Sequence, residues 1–304
     1  MFGKTGVLRA AIVVGVALLI TSCTTFPPPG PPASGDGCAK PATAVLNQPA
    51  SVAVGGTARN YTWTASDRTG PKPLVIDLHG LLEGVYAPVH PEMSQYSPKA
   101  LQEGFVVAFP IGENNGLNWD LGANTASLQF IDQLLTQVKA DACIDARRIY
   151  VTGLSYGAAM TTQIMCYRSE VFAAAAPVAG LLPPLDCHPT RKIPVVTFHG
   201  TADPILPFGL FSPSPQAWAT LYGCGATTRT TVVESDPVTL QPIYRDTWAC
   251  TDTAVESYVI EGGGHAWPGS AFSTLIHDIV GLTPTSISAT DISWDFFTRF
   301  ALPE

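Results

Sequence analysis

The segment Gly153-Leu154-Ser155-Tyr156-Gly157 reads G-x-S-x-G. In that pattern a serine oxygen is thrust clear of a sheet on a tight strand-to-helix turn, and the two glycines let strand and helix approach where a side chain would block them. A serine hydroxyl is a poor nucleophile until a histidine takes its proton and a carboxylate holds that histidine's tautomer. The chemistry to look for is therefore acyl transfer through serine, histidine and acid. On this kind of turn the chain order is serine, acid, histidine. His79 and His90 precede Ser155, whereas His188, His199, His265 and His277 follow it. His265 lies in Gly262-Gly263-Gly264-His265-Ala266-Trp267-Pro268-Gly269, directly after the strand-like residues 255–260. Glycines around a polar side chain at a strand end suit a loop that brings imidazole close to a crowded backbone. His188 sits in a Pro-rich loop and His277 in a mixed segment, so His265 is the expected base. Asp203 is the expected acid, because it follows the strand-like residues 195–198 through His199-Gly200-Thr201-Ala202. Asp186, Asp236, Asp246 and Asp252 sit among turn or polar residues and read as solvated carboxylates. His199 reads as a structural hydrogen-bonding residue.

A tetrahedral oxyanion needs two backbone N–H donors. One is expected from Tyr156, the residue after the nucleophile, and the other from Leu81, in the turn Leu78-His79-Gly80-Leu81 after an early strand. His79 precedes Ser155 and reads as a brace for that loop. The elements that must carry these groups are legible as short apolar or β-branched runs at residues 74–78, 105–109, 148–152, 172–178 and 195–198. Near-continuous apolar runs are what strands buried on both faces of a parallel sheet look like. Residues 51–54 and 59–65, joined by Gly55-Gly56, read as an opening pair of strands. Helices are expected over 126–140, where Leu128, Ile131, Leu134, Leu135 and Val138 recur at helical spacing, over 158–166 and over 291–300. Repeated strand and helix predicts an α/β fold, a mostly parallel sheet with helices on both faces and ligands at the carboxyl ends of the strands.

The 304 residues are 46% hydrophobic and 13% charged, which excludes a disordered chain. A net charge of −8 makes nucleic acid an unsuitable partner. Lys4 and Arg9 followed by the apolar residues 10–20 read as a signal peptide, 1–22, too short to span a bilayer comfortably. Ile20-Thr21-Ser22-Cys23 resembles the bacterial lipoprotein signal, so Cys23 is the expected lipidated N-terminus and the protein is expected outside the cytoplasm, anchored to the membrane. Residues 23–40, with Pro27-Pro28-Pro29-Gly30-Pro31-Pro32, read as the lipidated cysteine and a semi-extended spacer, and 41–304 as one catalytic domain. Removing the two basic residues of the signal leaves 14 basic and 24 acidic residues of the 16 and 24 in the chain. Cys38, Cys143, Cys166, Cys187, Cys224 and Cys250 remain, an even number that reads as up to three disulfides in an exported chain. Cys224 with Cys250, which bracket a segment that reads as a hairpin, is the one pairing predicted. No Cys-x-x-Cys occurs, and no metal or cofactor is expected.

Leu78-His79-Gly80, residues 148–157, Ala176-Pro177-Val178-Ala179-Gly180, Phe198-His199-Gly200-Thr201-Ala202-Asp203 and Gly263-Gly264-His265-Ala266-Trp267-Pro268-Gly269 follow one another in an order that resembles the extracellular polyhydroxybutyrate depolymerase and feruloyl esterase family. That group is similar to carbohydrate esterase family one. The resemblance runs from about residue 50 to 300. It implies an α/β-hydrolase fold, a metal-free acyl-enzyme mechanism, and catalytic roles for Ser155, Asp203 and His265. The chain departs from secreted polymer depolymerases in carrying no Thr-rich linker or C-terminal polymer-gripping module. Soluble hydroxyalkanoate oligomers, or feruloyl and acetyl esters on polysaccharide, are therefore expected substrates. Trp119, in the loop after the strand at 105–109, and Trp267 are candidates for an aromatic, sugar-stacking wall. Residues 270–289 read either as a lid or as a surface loop. Rival readings are a non-catalytic envelope protein using the scaffold for binding, or a lipase or peptidase of the same fold.

Overall fold

The computed structural model describes residues 37–86 and 89–303. The signal peptide, Cys23 and most of the spacer lie outside these residues. Among the described residues ten strands build one sheet: β1 (Val45–Val54), β2 (Thr57–Ala65), β3 (Lys72–Leu78), β4 (Val106–Pro110), β5 (Ile144–Leu154), β6 (Ala174–Val178), β7 (Val195–Gly200), β8 (Thr227–Val233), β9 (Ile243–Trp248) and β10 (Val255–Ile260). Their spatial order is β1-β2-β4-β3-β5-β6-β7-β10-β9-β8. The six strands from β4 to β10 in that order pair in parallel. The two strands at each end are antiparallel.

The parallel centre follows from composition. Every residue of β3, β4, β6, β7 and β10 is buried, so those strands must be covered on both faces, and the connecting helices cover them. The helices are α1 (Val89–Ser94), α2 (Tyr96–Glu103), α3 (Glu113–Gly116), α4 (Ala126–Asp141), α5 (Tyr156–Tyr167), α6 (Phe208–Phe211), α7 (Ser214–Leu221), α8 (Ala271–Leu275), α9 (His277–Val280) and α10 (Ala289–Phe297). Alternation along the strands separates two cores. Leu74, Ile76 and Leu78 of β3 face Leu128, Ile131, Leu134 of α4 and Met160, Ile164 of α5. Val75, with Val107 and Phe109 of β4, joins Tyr96 of α2 and Trp294, Phe296, Phe297 of α10. Thr125 caps α4 by accepting from the Leu128 N–H, which fixes where that helix begins.

Three disulfides tie the periphery to this frame. Cys224–Cys250 forms as predicted, and Cys38–Cys143 and Cys166–Cys187 account for the other four. Such bonds restrict the unfolded chain and fit an extracytoplasmic protein. Among the described residues no helix is long and apolar enough to cross a membrane. The segment 270–289 is neither a free lid nor a bare loop. It contains α8 and α9, and it is stitched to the histidine loop by Gly264 N–H to Leu282 O at 2.7 Å and Gly269 N–H to Pro284 O at 2.9 Å.

Candidate active site

Ser155 is the residue between β5 and α5, with φ 57° and ψ −115°. A non-glycine residue at that φ is strained, and the surroundings impose it. Ser155 N–H is held by Val178 O of β6 at 2.9 Å, while α5 begins at once beneath β3. A Cβ at Gly157 would run into the Leu78 carbonyl, and one at Gly153 would lie 2.7 Å from both Leu78 O and Gly157 O. The two glycines of the motif are thus needed where helix, nucleophile strand and β3 meet.

Asp203 follows β7 and His265 follows β10, two strands that pair in parallel with Ile260 opposite Gly200. All three expected groups therefore stand at the carboxyl edge of the parallel strands. His265 Nδ1–H donates to Asp203 Oδ2 at 2.7 Å. Asp203 is buried, and its other oxygen accepts from Ile205 N–H at 2.8 Å and Leu206 N–H at 2.7 Å. Burial opposes its charge, but hydrogen bonds from His199, His265 and the backbone outweigh burial and hold its carboxyl well below the usual range. It is a permanent carboxylate at neutral pH. His199 plays the structural part expected of it, its Nε2 lying 2.9 Å from Leu206 O and 3.2 Å from Asp203 Oδ2. Among the described residues neither Ser155 Oγ nor His265 Nε2 is engaged by another group.

On the other side of Ser155 lies the turn after β3. Among the described residues neither the Leu81 nor the Tyr156 N–H is used by a protein acceptor. His79 braces this turn, as its position in the chain suggested. Gly112 N–H donates to His79 Nε2 at 2.9 Å, and His79 Nδ1–H in turn donates to Gly80 O at 2.7 Å. Burial pushes its pKa down to about 4, so it is neutral.

The expected aromatic wall is corrected. Trp119 is 0% and Trp267 1% exposed. Trp119 stacks 4.7 Å from the His79 ring and donates its indole N–H to His79 O at 2.9 Å. Trp267 donates to Thr290 Oγ1 at 2.9 Å and packs edge-on to Tyr96 and His90. Both indoles support the loops from inside and present no face to a ligand. Asp236 is also no solvated carboxylate. It is fully buried and accepts from the N–H groups of Val238, Thr239, Thr285 and Ser286, which hold its pKa down near about 2 against the opposing effect of burial. It clasps two loops together, one of them carrying the carbonyl of Pro284 that holds the histidine loop. One further group was missed by sequence reasoning. Asp77, the last residue but one of β3, is paired with His90, and a carboxylate within the apolar run Leu74 to Leu78 is a signal that a buried partner must exist.

A sheet of this order, with a strained serine after the central parallel strand and an acid and histidine on later strand ends, decides the fold. The chain has the α/β-hydrolase fold. Residues 122–244 match the phospholipase/carboxylesterase family. The chain is 26% identical to a putative esterase, NocK, of Nocardia uniformis subsp. tsuyamanensis over 95% of this chain and 96% of that protein. It is 27% identical to feruloyl esterase B of Piromyces equi over 77% of this chain, but that match spans only 44% of the longer fungal protein. Among solved structures, acetyl xylan esterase from Aspergillus awamori superposes with a TM-score of 0.51 at 18% identity, covering 72% of this chain and 93% of that chain, which bears on the fold alone. Each of these three proteins is named as an esterase.

Proposed function

We propose that the protein is an exported serine esterase acting through Ser155, His265 and Asp203, held at the membrane surface by a lipid on Cys23. Residues 1–22 then form the signal peptide, 23–40 the spacer and 41–304 the catalytic domain. One observation carries the catalytic reading: a serine at φ 57° on the elbow, its hydroxyl unengaged, on the same sheet edge as an imidazole whose Nδ1 is tied to a buried carboxylate and whose Nε2 is free. His265 Nε2 takes the proton of Ser155 Oγ as the oxygen attacks the ester carbonyl. The oxyanion is held by the N–H groups of Leu81 and Tyr156. The C–O bond to the alcohol breaks, and the alcohol leaves with the proton from His265. A water molecule, deprotonated by His265, then attacks the acyl-serine and releases the acid. Asp203 keeps the His265 tautomer and stays ionised throughout.

The substrates proposed are hydroxyalkanoate oligomers or feruloyl and acetyl esters on polysaccharide. Exposed apolar side chains on the two loops that carry the proposed site residues suit such acyl groups: Leu81, Leu82, Val85 and Tyr86 on the loop after β3, and Ile205 beside Asp203. Initial rates of the purified mature protein on methyl ferulate and on a soluble 3-hydroxybutyrate oligomer test the reading, with Ser155→Ala as the blank. The wild type is expected to turn over at least one ester and the variant neither. Equal activity of the two proteins sinks the serine mechanism, and the preferred ester chooses the substrate branch.

A further inference from the structure

Beneath the turn after β3 lies a chain of charge that the mechanism above does not use. Asp77 of β3 is fully buried, and its Oδ1 accepts from His90 Nε2–H at 2.8 Å. His90 comes from α1, across the turn, and its Nδ1–H donates to Glu83 Oε2 at 3.0 Å. The same Glu83 oxygen accepts the backbone N–H of Gly80 at 2.7 Å. Both nitrogens of His90 thus face carboxylate oxygens, which accept and cannot donate, so the ring carries both protons. Phe109 and Trp267 close its flanks edge-on, at 6.3 and 6.2 Å between ring centroids. Burial alone would discharge the ring, yet the two carboxylates outweigh it and push its pKa up to about 10.

What this chain grips is the residue before the expected oxyanion donor. The Gly80 N–H is consumed by Glu83. The Gly80 carbonyl accepts from His79 Nδ1–H, itself fixed as a donor because Nε2 accepts from Gly112, and from the Glu83 backbone N–H at 3.3 Å. The Gly80 carbonyl and the Leu81 N–H belong to one planar trans peptide and point in opposite directions. Fixing the carbonyl inward therefore fixes the Leu81 N–H outward. Gly80 has no Cβ for a reason that fits this: one would lie 2.8 Å from Glu83 Oε1. Next along the loop, Leu82 has φ 68° and donates its N–H to Leu117 O at 2.8 Å.

We propose that the Asp77–His90–Glu83 chain, closed on the Gly80 N–H, is a positioning device that pins Gly80 through the peptide before it, so that the Gly80–Leu81 peptide, held by its carbonyl, keeps its N–H aimed at the oxyanion. Glu83 is its terminal positioning residue. It touches no reacting atom, and its effect reaches the transition state through Leu81. The proposal rests on the serine-esterase reading, since it needs Ser155 to be the nucleophile and Leu81 to be a donor.

The test compares wild type, Glu83→Ala, Glu83→Gln, Glu83→Asp and Ser155→Ala in the full chain. The readouts are kcat and KM on p-nitrophenyl butyrate, the rate of labelling by a fluorophosphonate, and the thermal midpoint. A donor misplaced by about an ångström costs on the order of 100-fold. Glu83→Ala is therefore expected to lower kcat and the labelling rate by about that factor, with KM little changed. Gln keeps an oxygen for the Gly80 N–H and restores most of the rate. Should Glu83→Ala not fold, Glu83→Asp carries the test: the negative charge is kept near His90, but the one oxygen that meets both His90 and Gly80 is drawn back, and a fall in kcat of about tenfold or more is expected in the folded protein, beyond any loss of folded fraction. Unchanged kcat and labelling in the Glu83 variants, with Ser155→Ala dead, overturns the positioning role and leaves the serine reading intact. A loss confined to KM, or one that merely follows the folded fraction, also overturns it. If Ser155→Ala is as active and as readily labelled as wild type, the serine reading fails and this proposal falls with it.

Discussion

On one side of Ser155, Asp203 binds His265 through a single imidazole nitrogen; on the other, Asp77 and Glu83 take both nitrogens of His90. Both sides start from a buried aspartate and a histidine, and they differ in what the second nitrogen meets. A ring that is to receive and return a proton needs one nitrogen fixed by an acceptor and the other open to the reacting group. A ring enclosed between two carboxylates cannot release a proton without stranding both charges, so it becomes a fixed cation and a structural pin. The same residue types thus make a proton shuttle or a strut according to whether the second carboxylate is present. The strut sits under the loop after β3, where geometry must not change. The shuttle sits after β10, where charge must.

The sharpest way to break that contrast is to remove charge from the shuttle alone. Asp203→Asn retains the volume of the side chain but presents an amide where His265 Nδ1–H needs an acceptor, so the proton settles on the wrong nitrogen. A fall of roughly 10⁴ in kcat is expected, measured as steady-state ester hydrolysis. The fold should survive, because the neighbouring N–H groups of Ile205 and Leu206 keep an oxygen to bind. Activity within about tenfold of wild type would mean that His265 is not oriented by this carboxylate.

The strut should respond in stability. His90→Leu strands Asp77 and Glu83 as buried, uncompensated carboxylates, at an expected cost of about 3–5 kcal/mol in urea unfolding at neutral pH. The pH dependence carries the sign. A group whose pKa is raised on folding contributes stability that is whole below its unfolded value, about 6.5 for histidine, and is lost as pH climbs through the folded value, here about 10. Wild type should therefore lose stability across the alkaline range, by at most about 1.4 kcal/mol per pH unit for this one proton, and the variant should lack that slope. His79 works in the opposite sense. Its pKa is lowered to about 4, so the unfolded chain takes a proton that the folded loop refuses, and stability falls as pH drops below about 6.5. An alkaline limb identical in wild type and His90→Leu contradicts the fixed cation.

The groups of the proposed shuttle could be placed on one sheet edge from the sequence and those of the strut could not, and the reason is physical. Ser155, Asp203 and His265 each follow an apolar run that becomes a buried parallel strand, so local pattern alone places them on one edge. β3, β4, β6, β7 and β10 were legible for the same reason, being buried at every position. A hairpin between Cys224 and Cys250 was anticipated and is found as β8 and β9, but its strand limits were not legible: Thr227–Val233 is exposed almost throughout and carries no apolar alternation, so only its pairing with β9 makes it a strand. His90 lies in a Pro-flanked segment without periodicity, and its partners come from β3 and the intervening turn, a juxtaposition that only the fold creates. Asp236 was misread because a turn residue offers the same local signal whether its carboxylate meets water or four backbone N–H groups. The two tryptophans were misread in reverse. Their neighbours in the chain are loop residues, but each indole turns inward to satisfy its N–H on a buried oxygen.

Trp119 gives the finest distinction between wall and support. Its ring lies on His79 and its N–H holds the His79 carbonyl, so it belongs with the strut, one layer below Leu81. Trp119→Phe keeps an aromatic face toward His79 but leaves that buried carbonyl without its donor and a small gap beside it. The expected cost is about 1–2 kcal/mol of stability. KM should move less than about twofold, because uniform binding is not what the side chain supplies. A slight fall in kcat, smaller than that from Glu83→Ala, is consistent with a carbonyl one peptide removed from the donor. An aromatic wall in contact with substrate makes the opposite forecast: KM rising by roughly tenfold or more with stability untouched. Steady-state kinetics and urea unfolding on this single variant separate the two, and a KM effect without a stability effect would return Trp119 from the strut to the substrate surface.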